Sequence, residues 1–313
     1  MNKIIAKIIA LVVLSFASLY SQTYNPYSFL RTNTSARAGA LAGATVSIPG
    51  DGGLTFANPA LIPTVADNSF STTYLKHISD INSGNIVYIK KVEDIGKFSA
   101  NAAFISYGSF IARDKNNNQS ANFNPMDLAL SVGYGNMLDS NLYYGASVKF
   151  IYSSIYQTST SAAAFDFGLF YAIPDINTNI GISVLNAGFQ LSKINGYSES
   201  LPLDVRIGFN HKLVGLPLLA NFSFHHLADK TDSFIDRFMN FSLGGEFYLG
   251  ESVMLRIGYD NYIRKYTAPE SSKGISGLSF GAGIKFKPLT LDYGFSRVGL
   301  GANLHRIGVN FQI

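Results

Sequence analysis

Gly277, Ser279 and Gly281 form a Gly-x-Ser-x-Gly string, the chain's nearest approach to a nucleophile motif. Acyl transfer needs such a serine on a sharp strand-to-helix turn that lifts its hydroxyl clear of the backbone. Here the string opens a run in which Leu278, Phe280, Ala282, Ile284 and Phe286 alternate with small or polar residues. Ser279 therefore belongs to a regular strand and points to its polar side. No Ser-x-x-Lys occurs, so a penicillin-type acylation site lacks its residues. His225 and His226 are the one adjacent histidine pair. Neighbours on a strand point to opposite faces, so holding one metal ion would require a bend, and the expectation is a strand end at headgroup level. Asp229, Asp232 and Asp236 supply carboxylate oxygens without the glycine and glutamate of a calcium loop, which predicts a solvated loop. The sequence predicts no catalytic, cofactor-binding or metal site, and no enzyme.

Charge inside the strands reads differently. Asp166, Asp204, Arg206, Glu246, Arg256 and Asp260 all fall on the polar side of alternating segments. In a closed sheet that side is the interior. Both signs are present, so the groups can pair with one another and with Arg37 and Asp51 of an inserted segment, closing the pore. A water-filled channel lined by the same charges is the alternative.

The elements that must position these residues are strands. Leu142, Tyr144, Ala146, Val148, Phe150 and Tyr152 share one face of a period-two run, as do His305, Ile307, Val309, Phe311 and Ile313 of another. About fourteen such segments are predicted, over 70–77, 85–90, 97–110, 128–135, 142–153, 163–171 and 179–189 in the first half of the series. The second half covers 203–211, 218–227, 241–249, 253–263, 277–286, 289–295 and 303–313. Short links at 137–141, 174–178, 250–252 and 287–288 alternate with long polar ones at 113–125, 193–202, 228–237 and 264–276. Short periplasmic turns, long outside loops and an even strand count are the rhythm of an outer-membrane barrel. A soluble β-sandwich would need a polar outer face and one shared apolar core. The predicted fold class is all-β: a transmembrane antiparallel barrel over 69–313.

Composition and the N-terminus agree. The chain is 47% hydrophobic and 14% charged, yet no apolar run beyond the first two dozen residues is long enough for a membrane helix. Cysteine is absent, so no disulfide, thiol chemistry or lipid anchor on cysteine is available. With no tryptophan, an interfacial aromatic belt must be built from 18 Tyr and 24 Phe. Lys3 and Lys7 precede an apolar stretch over 8–19, which reads as a secretory signal over 1–21; a lone membrane anchor is the alternative. Removing the two lysines takes the formal charge from +4 to +2, which gives no argument for nucleic acid. Residues 22–68 are rich in Gly, Ala, Ser, Thr and Pro, with a short helix expected over 34–43 and turn, helix and turn over 51–62. Too poor in apolar residues to fold alone, this segment is expected to sit in the barrel as a plug or hatch.

Several stretches carry a family resemblance. They are 29–43 (FLRTNTSARAGALAG), 51–62 with Asn58-Pro59-Ala60, 80–91 (DINSGNIVYIKK), 96–110, 123–134, 201–213 and 226–258 with Phe234-Ile235-Asp236-Arg237-Phe238. Together they resemble the PorV/PorQ family of outer-membrane proteins of the type IX secretion system, nearer its PorQ members. The chain has Ala40-Leu41-Ala42-Gly43 where the family has Ala-Leu-Gly-Gly, and ends on Ile313 where such barrels end on an aromatic. The resemblance implies a fourteen-stranded FadL-like barrel in the outer membrane of a Gram-negative, Bacteroidetes-like bacterium. It implies a non-catalytic part holding a surface partner similar to PorZ, within a cargo attachment complex that includes PorU-like and PorV-like proteins, with the long loops as the binding surface. The competing function is a FadL-like channel for hydrophobic small molecules, whose marks would be an apolar lumen pocket and an opening in the wall.

Overall fold

The computed structural model describes residues 26–193, 198–267, 274–299 and 302–312. The expected signal over 1–21 and its cleavage site lie outside the described residues, as does Ile313.

Among the described residues, sixteen strands follow the inner N-terminal segment. They are β1 (Ser69–Lys76), β2 (Asn82–Val92), β3 (Gly96–Ser106), β4 (Phe110–Arg113), β5 (Gln119–Phe123), β6 (Met126–Asp139), β7 (Leu142–Ile155) and β8 (Thr158–Ile173). Then come β9 (Thr178–Ser192), β10 (Asp204–Lys212), β11 (Leu218–Phe224), β12 (Phe241–Leu249), β13 (Val253–Asp260), β14 (Leu278–Phe286), β15 (Leu289–Gly299) and β16 (Ala302–Gln312). Fourteen of them close into one antiparallel barrel, and β4 and β5 form a separate hairpin in the connection between β3 and β6. Closure is made by β1 against β16, running from Ser69 opposite Gln312 to Lys76 opposite His305. A closed sheet satisfies every backbone group without an edge, which is what a strand protein needs in lipid.

Alternation sets the two faces. On β7, Val148 and Phe150 are exposed to the outside while Ser147, Lys149, Ile151 and Ser153 are buried within. On β16, Ile307 is 60% exposed whereas Leu304 and Arg306 are buried. An apolar belt outside and polar residues inside, around fourteen tilted strands, is the architecture of an outer-membrane barrel. No helix among the described residues is long and apolar enough to cross a membrane; the crossing elements are strands.

Where the structure departs from the expected elements, local polar groups decide. The 253–263 strand stops at Asp260, whose carboxylate accepts from the Ile263 N–H at 3.1 Å and starts helix α1 (Asn261–Tyr266). The 218–227 strand stops at Phe224, because the His226 N–H turns to Asp204 and His226 takes a left-handed φ of 55°. The 113–125 connection is not simply a loop: an Asp114 turn folds it into the β4–β5 hairpin. One outer link is short, with β7 and β8 joined through 156–157.

Candidate functional site

The interior of the barrel is the site. Residues 27–65 run through it as short helical turns, three of them started by a small polar residue: Ser35 for the helix Ala36–Ala40, Asp51 for Gly52–Leu54 and Asn58 for Pro59–Thr64. Leu41, Val46, Leu54, Ala60 and Leu61 of this segment are at most 1% exposed. Its burial depends on the wall, because glycines on the inward faces let its backbone approach the strands. A Cβ on Gly258 of β13 would come within 2.6 Å of the Ala42 nitrogen. A Cβ on Gly145, Gly168, Gly181 or Gly294 would overlap Pro59, Asn58, Val46 or Ala36 outright. Close packing of this kind leaves no room for side chains.

Asn58 shows why the Asn-Pro-Ala element has those residues. Its amide nitrogen donates to the carbonyls of Val46 at 3.0 Å and of Leu169 on β8 at 3.1 Å, while its side-chain oxygen accepts from the Ala60 N–H at 3.0 Å. One fully buried side chain thus closes the turn and ties it to the wall, with Pro59 at the first helical position where no N–H is needed.

The predicted interior charges fall into separate groups. Arg37 donates through Nε and Nη2 to both oxygens of Glu246 at 2.9 and 3.0 Å, and Nη1 lies 3.4 Å from Asp51. Glu246 also accepts from Arg256 at 3.3 Å, and Arg256 reaches Asp292 at 2.6 Å. Thus four of the eight candidates, Arg37, Asp51, Glu246 and Arg256, meet in one network. Asp51 pairs with Arg37 of its own segment, since its carboxylate is turned back to the Gly53 N–H at 2.9 Å. Asp166 lies elsewhere, bound by Lys149 at 3.0 Å, Ser147 and the Asn186 N–H. Asp204 is held by Arg206 at 2.8 Å and by the His226 N–H at 2.7 Å. Asp260 lies 3.6 Å from His225. These four, Asp166, Asp204, Arg206 and Asp260, do not touch Arg37 or Asp51; Asp166, Asp204 and Arg206 sit on other strands and Asp260 at the far end of β13, each with nearer partners of its own.

Sequence reasoning passed over four participants. Asp292 and Arg306 occupy the polar side of β15 and β16 and were open to the alternation argument. Lys149 lies on the polar side of β7, where it binds Asp166. Arg31, in the inner segment, donates to Asp229 at 2.8 Å and so joins the segment to the long β11–β12 connection. Arg306 has no carboxylate partner among the described residues; it donates to the Asn33 carbonyl at 2.9 Å and to Ser296 at 2.8 Å.

Among the described residues two sizeable cavities flank the inner segment, besides a small one of about 50 Å³ between Phe29, Leu54, Ile105 and Ala129. The larger, about 960 Å³, opens among the long connections and is lined by Arg31, His225, His226, Asp260, Tyr262 and Arg306. The smaller of the two, about 230 Å³, lies by the Arg37 network and the short β14–β15 link at Lys287. The two histidines lie just past the end of β11, where a strand end is expected, but they do not point to opposite faces: the left-handed turn at His226 brings both rings together edge-on, 4.6 Å apart, over the larger cavity. Burial lowers the His226 pKa, against the pull of Asp204. Asp229, Asp232 and Asp236 do not converge, since Asp229 pairs with Arg31 and Asp236 caps the turn at Ser233. Ser279 faces the lumen from an uninterrupted strand, without the turn a nucleophile needs.

No known family profile matches the chain, and no curated protein matches it. Solved structures do. The Pseudomonas putida toluene transporter TodX superposes with a TM-score of 0.52 at 13% identity, over 93% of this chain and 96% of that one. A TodX monoaromatic hydrocarbon channel carrying the deltaS2 mutation gives 0.55 at 14% identity, over 89% and 97%. A Pseudomonas aeruginosa FadL homologue gives 0.53 at 11% identity, over 89% and 98%. The fold is therefore that of FadL-like outer-membrane barrels.

Proposed function

We propose that this protein is a plugged, non-catalytic outer-membrane barrel that holds a partner at the cell surface, as a PorQ-like component of type IX secretion. The observation that carries the reading is the mounting of the inner segment. Its backbone lies on wall glycines and its Arg37 is fixed by two bonds to Glu246, so the lumen is occupied by a built-in part. Charges paired this way inside a barrel favour a closed lumen over a conducting one. The long connections and the β4–β5 hairpin then offer the partner surface, and a protein similar to PorZ is the proposed partner, with PorU-like and PorV-like proteins in a wider complex. The resemblance of 29–43, 80–91 and 226–258 supports this partner class. Purification of the tagged protein from native outer membranes, with its partner identified by mass spectrometry, tests it. Recovery of the barrel alone under conditions that preserve other membrane complexes would count against it.

The second reading is a channel for hydrophobic molecules, favoured by the shared fold with proteins described as hydrocarbon and toluene transporters. Against it stands the lining of the outer cavity, where Arg31, Arg306, His225, His226 and Asp260 interrupt the apolar surface of Leu201, Leu203, Ile263 and Leu304 that such a cargo would contact. Uptake of radiolabelled toluene by cells expressing the protein separates the two readings.

A further inference from the structure

The connection between β11 and β12 crosses the barrel rim twice. It turns inward at His225 and His226, reaches Arg31 through Asp229, and then returns outside as a short 3₁₀ segment, Phe234–Met239, started by a Ser233 and Asp236 capping box. The turn rests on the outer wall. Phe238 meets the ring of Phe224 edge-on at 5.3 Å, and Phe224 is the last outward residue of β11, itself edge-on to Phe222 at 4.7 Å. At its far end the Met239 carbonyl accepts from Asn261 at 2.8 Å, and Asn261 in turn accepts from the hydroxyl of outward-facing Tyr259.

Anchored there, the turn presents an apolar surface that no part of the described protein covers. Phe234 is 63% exposed, Ile235 72%, Phe238 40% and Met239 43%. Beside them Arg237 lies over the Phe234 ring at 5.7 Å, and its Nε is buried with no hydrogen-bond partner. In water four contiguous apolar side chains on a loop would be costly. Against lipid they extend the aromatic belt of Phe209, Phe222, Phe224 and Phe241, and an arginine at that level meets headgroup phosphate.

We infer that residues 233–240 are a lipid-seated foot: Phe234, Ile235, Phe238 and Met239 enter the outer-leaflet interface, and Arg237 binds the phosphate of an anionic lipid headgroup. Continuity with the lipid-facing wall selects lipid over a protein partner, because Phe224 and Tyr259 already lie on that wall. The foot would hold the loop that carries Asp229 at a set height over the mouth.

The chain contains no tryptophan, so single replacements report without background. Ile235→Trp and Phe234→Trp, each in the full chain and accepted only if migration remains heat-modifiable, are reconstituted in phosphatidylcholine vesicles with brominated acyl chains. Both are expected to lose fluorescence to bromine as strongly as Phe209→Trp in the lipid belt, and to resist acrylamide. Adding phosphatidylglycerol should increase the bromine quenching of Ile235→Trp, and Arg237→Gln should remove that increase. Quenching by acrylamide alone, as expected for Lys115→Trp at the tip of the β4–β5 hairpin, would overturn the foot. Shielding from both quenchers would place the patch on protein and overturn it equally. No increase with phosphatidylglycerol, or one that survives Arg237→Gln, would remove the phosphate contact.

Discussion

Arg37 of the inner segment grips Glu246 of β12 with two parallel hydrogen bonds, 2.9 and 3.0 Å long, deep inside the barrel. Paired guanidinium and carboxylate groups of this geometry are directional, so the contact sets the height and rotation of the segment as well as its charge balance. It follows that the segment and the wall should respond to mutation as one unit.

Arg37→Met leaves Glu246 with Arg256 as its remaining cation, and Glu246→Gln leaves Arg37 with Asp51 alone. Breaking a buried pair by removing one partner costs about 3–5 kcal/mol, whereas replacing both is often near neutral. Each single variant should therefore lower the temperature of the heat-modifiable transition, and the double variant should fall less than the sum of the two. Strict additivity would show that the contact is not coupled.

A larger residue in the glycine bed should displace the segment without opening the sheet. Gly258→Val places side-chain atoms where the Ala42 nitrogen and the Leu41 carbonyl now lie. The expected variant inserts in membranes but becomes sensitive to added protease within 34–62. Gly245→Ala, on the outer face with its nearest neighbour at 3.4 Å, should remain resistant.

Ile307 is 60% exposed on the lipid side of β16. Ile307→Arg should reduce assembly, since an arginine near the midplane costs about 2–4 kcal/mol. Folding yield in vesicles, read by heat-modifiable migration, checks this; an unchanged yield would mean that the faces are reversed.

Stability should fall in mild acid. Burial lowers the His226 pKa, and burial with Arg306 and Lys76 lowers that of His77 from 6.5 to about 4. For a base with a depressed folded pKa, the unfolded chain takes the proton first, so stability is complete above about 6.5 and is lost as pH falls toward 4. The transition temperature should drop across that window. It should drop less in His226→Asn, where asparagine tolerates the left-handed backbone, and in His77→Gln.

How much of this was open to reading along the chain depended on whether a feature is periodic. The faces of β7 and β16 follow from period two, and so did the interior placement of Glu246 and Arg256. Hidden features came from single polar groups acting at a distance. Asp204 turning His226 out of the strand and Asp260 starting a helix are tertiary effects that no period encodes. The inward glycines were visible as small residues on the polar face, but nothing in their spacing announces that Val46 or Pro59 lies against them. Arg31 had no periodic signature, and its partner Asp229 is 198 residues away.

The central claim is that the inner segment seals the barrel, and conductance in planar bilayers tests it most directly. Deletion of 34–62, with all strands kept, should give a membrane-inserted barrel that conducts ions, while the intact chain stays silent under the same voltage. An inserted deletion variant as non-conducting as the intact protein would contradict the account.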